Sequence, residues 1–122
     1  MIDFQNGSVI KLKKTDSIPD KLEDIFIDGE SLIGLYKGIR DYVAFTNKRI
    51  ISVNVQGMTG KKKDFTSMPY SKIQVFSIET SGVFDLDSEL ELYFSGVGKV
   101  KFEFSGASDI VEISKLIAKF IL

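Results

Sequence analysis

Three groups of charged side chains in this sequence have the types and spacing to do chemistry or to hold a partner. Lys61, Lys62 and Lys63 run together, and Lys37 and Arg40 stand close to one another upstream. Clustered ammonium and guanidinium groups beside backbone donors suit phosphate oxygens, so these five are the candidates for contact with an anionic membrane lipid. Asp41 and Asp64 dilute their charge, and a solvated basic loop is the alternative reading. Asp85, Asp87, Glu89 and Glu91 form the second group, at every other position. That spacing invites a calcium site, but carboxylates on a strand diverge by about 6.5–7 Å per two residues, and the glycine-hinged loop of repeated aspartates is missing. A solvated acidic face, or one that meets basic residues of another subunit, suits them better. Lys48 and Arg49 are the third group. They follow Asn47 in what reads as a two-residue hairpin loop, with Asn47 supplying the positive φ such loops use and Arg49 available as an interface anchor.

The composition closes off most other chemistry. The chain has 122 residues and neither histidine nor cysteine. That removes the usual zinc and haem sites, Ser-His-Asp and Cys-His catalysis, and any disulfide framework. No nucleophile motif or pocketed second acid accompanies the carboxylates, so no catalytic residue, metal or cofactor is assigned and the chain reads as a non-enzyme. A net charge of −1 and a pI near 5.5 do not supply a basic stripe for nucleic acid, and Phe94, Phe102 and Phe104 are better spent as core. With 43% hydrophobic residues and a mean hydropathy of +0.07, one soluble domain with a real core is expected. Met1 to Lys14 lacks the apolar stretch of a secretory signal and no run approaches the roughly 18–20 residues that cross a bilayer, so the expected location is the cytoplasm.

The elements that must position these groups follow from periodicity. Pro19 at a first helical turn and Leu22, Ile25 and Phe26 at three- and four-residue intervals predict a short helix that ends at Asp28-Gly29. Seven strands are predicted near Ser31 to Lys37, Asp41 to Thr46, Arg49 to Gln56, Lys62 to Met68, Ile73 to Ser81, Glu89 to Phe94 and Lys99 to Phe104. In the last two, Leu90, Leu92, Phe94, Val100, Phe102 and Phe104 share the inward face, while Glu89, Glu91, Lys99, Lys101 and Glu103 share the outward one and should pair across the strands. Ile51, Val53 and Val55, and likewise Phe76 and Ile78, offer further stripes to line a barrel. After Gly106, Asp109 and Glu112 have capping-box spacing. Ile113, Leu116, Ile117, Phe120 and Ile121 then predict an amphipathic helix over the barrel mouth.

A longer pattern runs through the same residues. It comprises Ile39-Arg40-Asp41, Phe45-Thr46-Asn47-Lys48-Arg49-Ile50-Ile51, Gly57-Met58-Thr59-Gly60-Lys61-Lys62, Met68-Pro69-Tyr70-Ser71-Lys72-Ile73 and the stretch from Phe76 to Leu90. In this order it resembles the bacterial pleckstrin homology (PH) domain family. The resemblance covers roughly Glu30 to Leu122. It implies a mainly β fold, a PH-like seven-stranded antiparallel barrel or sandwich with a C-terminal capping α-helix, to which periodicity adds the short N-terminal helix. Residues 1–19 are left as an unassigned N-terminal segment and 20–122 as the PH-like domain. The resemblance also implies ring-like homo-oligomers, and no catalytic set to transfer.

The expected function is a protein-interaction module that self-assembles into a homo-oligomer, a closed ring being one form of it, through open strand edges and charged faces. Asp85, Asp87 and Glu89 against Arg40, Lys48 or Arg49 are the candidate interface. The alternative is peripheral binding to an anionic membrane surface through Lys37, Arg40, Lys61, Lys62 and Lys63.

Overall fold

Why the first fourteen residues carry no alternation is answered by a bulge. The computed structural model describes residues 1–106 and 110–122, and places Gly7–Lys14 in a strand, β1. Val9 and Leu12 are both buried although three positions separate them, because the register shifts between them and Lys11 takes a left-handed backbone at φ 58°. A strict period of two cannot bury both, and the extra residue of a bulge can.

The strands that follow are β2 (Leu32–Lys37), β3 (Tyr42–Thr46), β4 (Arg49–Gln56), β5 (Lys62–Pro69), β6 (Val75–Glu79), β7 (Ser88–Phe94) and β8 (Gly98–Phe104). The helix α1 (Ile110–Ile121) closes the sequence of elements. They form one sheet in the order β5-β4-β3-β2-β1-β8-β7-β6. The expectation of seven antiparallel strands is therefore corrected to eight in an open sheet, with β1 antiparallel to β2 and parallel to β8. The expected N-terminal helix is corrected too. Only a 3₁₀ turn, Glu23–Ile25, forms there, since Lys21 adopts φ 75° and interrupts any helix begun at Pro19.

Leu22, Ile25 and Phe26 still find the apolar surface their spacing suggested. They cover the outer face of the first half-sheet, where Leu35, Ala44, Ile51 and Val53 are buried with Val55 and Phe65 beside them. The stripe Ile51, Val53 and Val55 thus faces away from the barrel interior, contrary to expectation. Its neighbour Ile50 faces inward with Val43, Phe45 and Met68. A strand buried on both faces reads as a continuous apolar run, which is what Ile50-Ile51 within β4 presents.

The inward face of β7 and β8 is as expected: Leu90, Leu92, Phe94, Val100, Phe102 and Phe104 are all buried. Ile113 and Ile117 of α1 bury against this core, and Phe120 stacks on Tyr70 with ring centres 4.9 Å apart. The capping box assigned to Asp109 lies outside the described residues. The start of the chain packs on the same core, with Phe4 edge-on to Phe94 and its carbonyl accepting the Lys99 N–H at 2.7 Å. Gly98 is required there, because a Cβ would run into the Phe4 carbonyl.

Candidate functional site: a basic face and a charged turn

The loop from residue 38 to 41 joins β2 to β3 and sets Lys37 and Arg40 opposite the loop between β4 and β5. The Arg40 guanidinium donates to the Gly57 carbonyl, and the Lys63 ammonium to the Gly60 carbonyl at 3.0 Å. Lys37, Arg40 and Lys63 line one cleft of about 550 Å³, with Ile39, Tyr42 and Gly60. The Lys37 ammonium lies 5.6 Å from the centre of the Tyr42 ring, in range of a cation–π contact. Of the five basic residues singled out in the sequence, three therefore share a wall. Lys61 and Lys62 are exposed outside it.

At the other end of β3 the turn is built differently from the expectation. Neither Asn47 nor Lys48 has positive φ. The Thr46 hydroxyl shapes the turn instead, accepting the N–H groups of Lys48 and Arg49 at 3.0 Å each and donating to Glu30 at 2.7 Å. The Asn47 side chain ties the turn to the cover segment, accepting the Ser31 N–H at 2.8 Å and donating to the Gly29 carbonyl at 2.9 Å.

Arg49 meets the Glu30 carboxylate with Nε and Nη2, at 2.9 Å each. It also reaches the Ser67 hydroxyl and the Ile25 carbonyl. The Glu30 side chain has no exposed area. Its desolvation pushes its pKa up, but the bonds from Arg49, Thr46 and the Ile27 N–H, together with the Arg49 charge, outweigh this and hold it at about 2. Burial first, and the Glu30 charge second, push the nearby Tyr70 phenol well above its usual range. Its hydroxyl donates to the Thr46 carbonyl at 2.7 Å. Arg49 is thus committed within the chain, whereas Lys48 is exposed.

The acidic group is divided between a loop and a strand. Asp85 and Asp87 lie in the connection from β6 to β7, where Asp85 accepts the Asp87 N–H at 3.0 Å. Glu89 is on β7 and pairs with Lys101 at 3.6 Å, and Glu91 with Lys99 at 3.7 Å. These are the cross-strand pairs expected, Glu89 reaching Lys101 on the diagonal because Glu103 stands directly opposite it. Among the described residues no group of three or more acidic side chains is placed to hold a metal ion.

A family model described as the bacterial PH domain matches residues 2–121. The chain belongs to the bacterial PH domain family. The uncharacterized protein YjqA of Bacillus subtilis is 42% identical to it over 106 residues, covering 85% of each chain. A crystal structure of a protein with a pleckstrin-homology domain from Shewanella loihica is 41% identical, superposes with a TM-score of 0.77, and is covered completely by 95% of this chain. A pleckstrin homology domain from Shewanella amazonensis is 43% identical with a TM-score of 0.65, over 84% of this chain and 83% of that one.

In this PH domain, neither periodicity nor resemblance points to the lysines of β1. Lys11, Lys13 and Lys14 line a second cleft that shares Lys37 and Ile39 with the first. The run Lys-Leu-Lys-Lys was the available signal, but without a strand to carry it nothing connected it to Lys37. Glu30 had no local signal either, since its partner lies a full hairpin away.

Proposed function

We propose that this bacterial PH domain is a non-enzymatic interaction module that assembles with copies of itself through the two ends of its sheet. One observation carries the reading: the strand order stops at β5 on one side and β6 on the other, among the described residues. An edge strand offers unpaired N–H and C=O groups, and pairing β6 of one copy with β5 of the next satisfies both. Such a contact joins unlike surfaces, so it closes into a ring when the rotation between copies allows. Charge supports the same direction. Asp87 lines a cleft with Gly38 and Ile39 of the 38–41 loop, and Asp85 is tied to it through the Asp87 N–H, while Lys48 lies beyond β3, about 17 Å along a five-residue strand. Asp85, Asp87 and Lys48 are then partners between copies, with Arg40 and Glu89 at the margin. Cytoplasmic residence is part of the same proposal.

Light scattering coupled to size exclusion, over a dilution series, tests it. A multimer that falls apart when proline replaces Ser77 or Ile78 is the expected result. Successive N–H groups of β6 alternate between β7 and the free edge, so one of these two variants removes only an edge donor. A mass near 13.6 kDa at every concentration overturns the proposal. An Asp85→Lys, Asp87→Lys variant of unchanged assembly size removes the charge component.

A second reading rests on the shared wall of Lys37, Arg40 and Lys63. That wall suits an anionic lipid headgroup, with Lys61 and Lys62 adding attraction at longer range. Sedimentation with anionic vesicles should weaken with salt and fall when Lys61, Lys62 and Lys63 become Glu. Indifference to both removes it.

A further inference from the structure

The connection from β6 to β7 holds its apolar side chains out to solvent. Val83 is 86% exposed, Phe84 fully so and Leu86 62%. A hydrogen bond from the Gly82 N–H to the Asp85 carbonyl, at 2.6 Å, closes a turn around Val83 and Phe84, and the Asp85 carboxylate accepts the Asp87 N–H. The loop is therefore shaped before it meets anything, with an aromatic ring at its tip. Aromatic side chains are enriched in the buried centre of protein interfaces, and a segment already in its docking shape loses less entropy on binding. Its charge is of one sign, since Glu79, Asp85 and Asp87 lie between 79 and 87 with no basic residue among them.

A groove of complementary character lies between β2 and α1. It exists because β1 stops short. The register of β1 with β2 ends at Lys14 opposite Tyr36, and Thr15 adds one last bond to the Leu35 carbonyl, whereas β2 reaches back to Leu32. Among the described residues no strand flanks Ile33 and Gly34 on that side, and the gap between them and α1 measures about 430 Å³. Ile33, Tyr36, Phe45 and Leu116 give it an apolar floor, with Ile33 49% exposed and open to another apolar side chain. Lys14, Lys115 and Lys119 stand on its rim against one acid, Glu112.

We infer that this groove receives the 82–87 loop of a second copy, with Phe84 seated on the apolar floor and Asp85 and Asp87 facing the lysines of the rim. Loop and groove are opposite in charge and alike in apolar character, the combination that fixes register and suppresses wrong partners. Within one chain the loop does not enter the groove, since Phe84 is left fully exposed. The contact rests on the reading that the chain assembles with itself, and it adds to the strand edges a second pair of unlike surfaces. Lys48 stands at the same end of β2 as Ile33, because Thr46 is the register partner of Leu32. The acidic flank of the loop is thereby offered basic partners on both sides.

A chain without cysteine makes the test direct. Phe84→Cys and Ile33→Cys are made in separate full-length chains, mixed at low concentration and oxidised, and the mixed dimer is measured by mass spectrometry. A disulfide between them is necessarily intermolecular and needs Cα atoms within about 7 Å. The expected result is a mixed dimer that forms about tenfold or more faster than one between Phe84→Cys and Val97→Cys, an exposed position in the turn from β7 to β8, and that slows in high salt. Leu86→Cys with Lys115→Cys repeats the measurement at two other exposed positions, so that poor folding of one variant does not decide the outcome.

Rates equal to the control in both pairs overturn the contact. Light scattering separates that failure from a failure of edge pairing. A multimer dispersed by proline at Ser77 or Ile78, yet without selective cross-linking, overturns the loop contact alone. Selective cross-linking that persists in the proline variants supports the loop contact whatever becomes of the edges. A mass near 13.6 kDa at every concentration, with no selective cross-link, overturns both.

Discussion

The two halves of the sheet solve the same burial problem with different means. Strands β2 to β5 are covered on both faces, one by the main core and the other by Leu22, Ile25 and Phe26 of the segment ahead of β2. Strands β7 and β8 bury one face and leave Glu89, Glu91, Lys99 and Lys101 to water on the other. The first half depends on a borrowed strap pinned by Glu30 and Arg49, and the second on the alternation of its own residues. Stability of the first half should therefore respond to changes in the strap, outside its own strands, while the second half answers mainly to changes within its own hairpin.

The largest expected effect comes from cutting the strap. Leu22→Ala removes a fully buried side chain, and such truncations cost about 2–5 kcal/mol. Urea denaturation measures the loss, and hydrogen exchange should show protection falling first in β2 to β4. Uniform loss across both halves would mean that the strap supports the whole sheet and not the first half alone.

Next in size is the pin. Glu30 is held as a carboxylate at about 2 in the folded chain against 4.5 as its ordinary value. The group binds fewer protons folded than unfolded over that interval, so its contribution is complete above about pH 4.5 and is lost as pH falls toward about 2. The full shift corresponds to about 3 kcal/mol. Glu30→Gln should lower the unfolding free energy by a comparable amount at pH 7 and flatten its pH dependence between those limits. Parallel stability curves for the parent and the variant would deny Glu30 that role.

The exposed pairs of the second half are expected to matter far less. Glu89→Gln should change stability by no more than about 1 kcal/mol, and salt should erase the difference. The smallest effect sharpens the view of β1. Lys11→Gly relieves the left-handed backbone but loosens the unfolded chain, so the net change in unfolding free energy, read from urea denaturation, should be near zero or a gain of about 0.5 kcal/mol. A clear loss would mean that the Lys11 side chain holds the bulge.

What was legible in the sequence follows the same division. The β7 and β8 hairpin was read nearly to the residue because one buried face produces strict alternation, and Gly96-Val97-Gly98 marks the turn. In β4 the strand was found but its faces were assigned only in part, since Ile50 and Ile51 serve two cores. Strand β1 was invisible because its bulge breaks the period at Val9 and Leu12. The turn at Asn47 was located correctly but for the wrong reason: a positive φ was expected at Asn47, and the Thr46 hydroxyl shapes the turn instead. Of the site residues, Lys37, Arg40 and Lys63 were brought together by loops that periodicity could place. The β1 lysines depended on a pairing with β8 that links opposite ends of the chain, and no local signal reports such a partner.

That pairing has a consequence for the order in which the molecule can be made. Gly7 finds its register partner in Val100, so the strand synthesised first waits for the strand synthesised last. Until then β1 has one side unsatisfied and the strap has only a partial sheet to lie on. Contacts of such separation form slowly, and incomplete chains expose strand edges that invite association. A chain leaving the ribosome therefore carries an unfinished sheet until β8 has been added, and over that interval its unpaired edges are open to association.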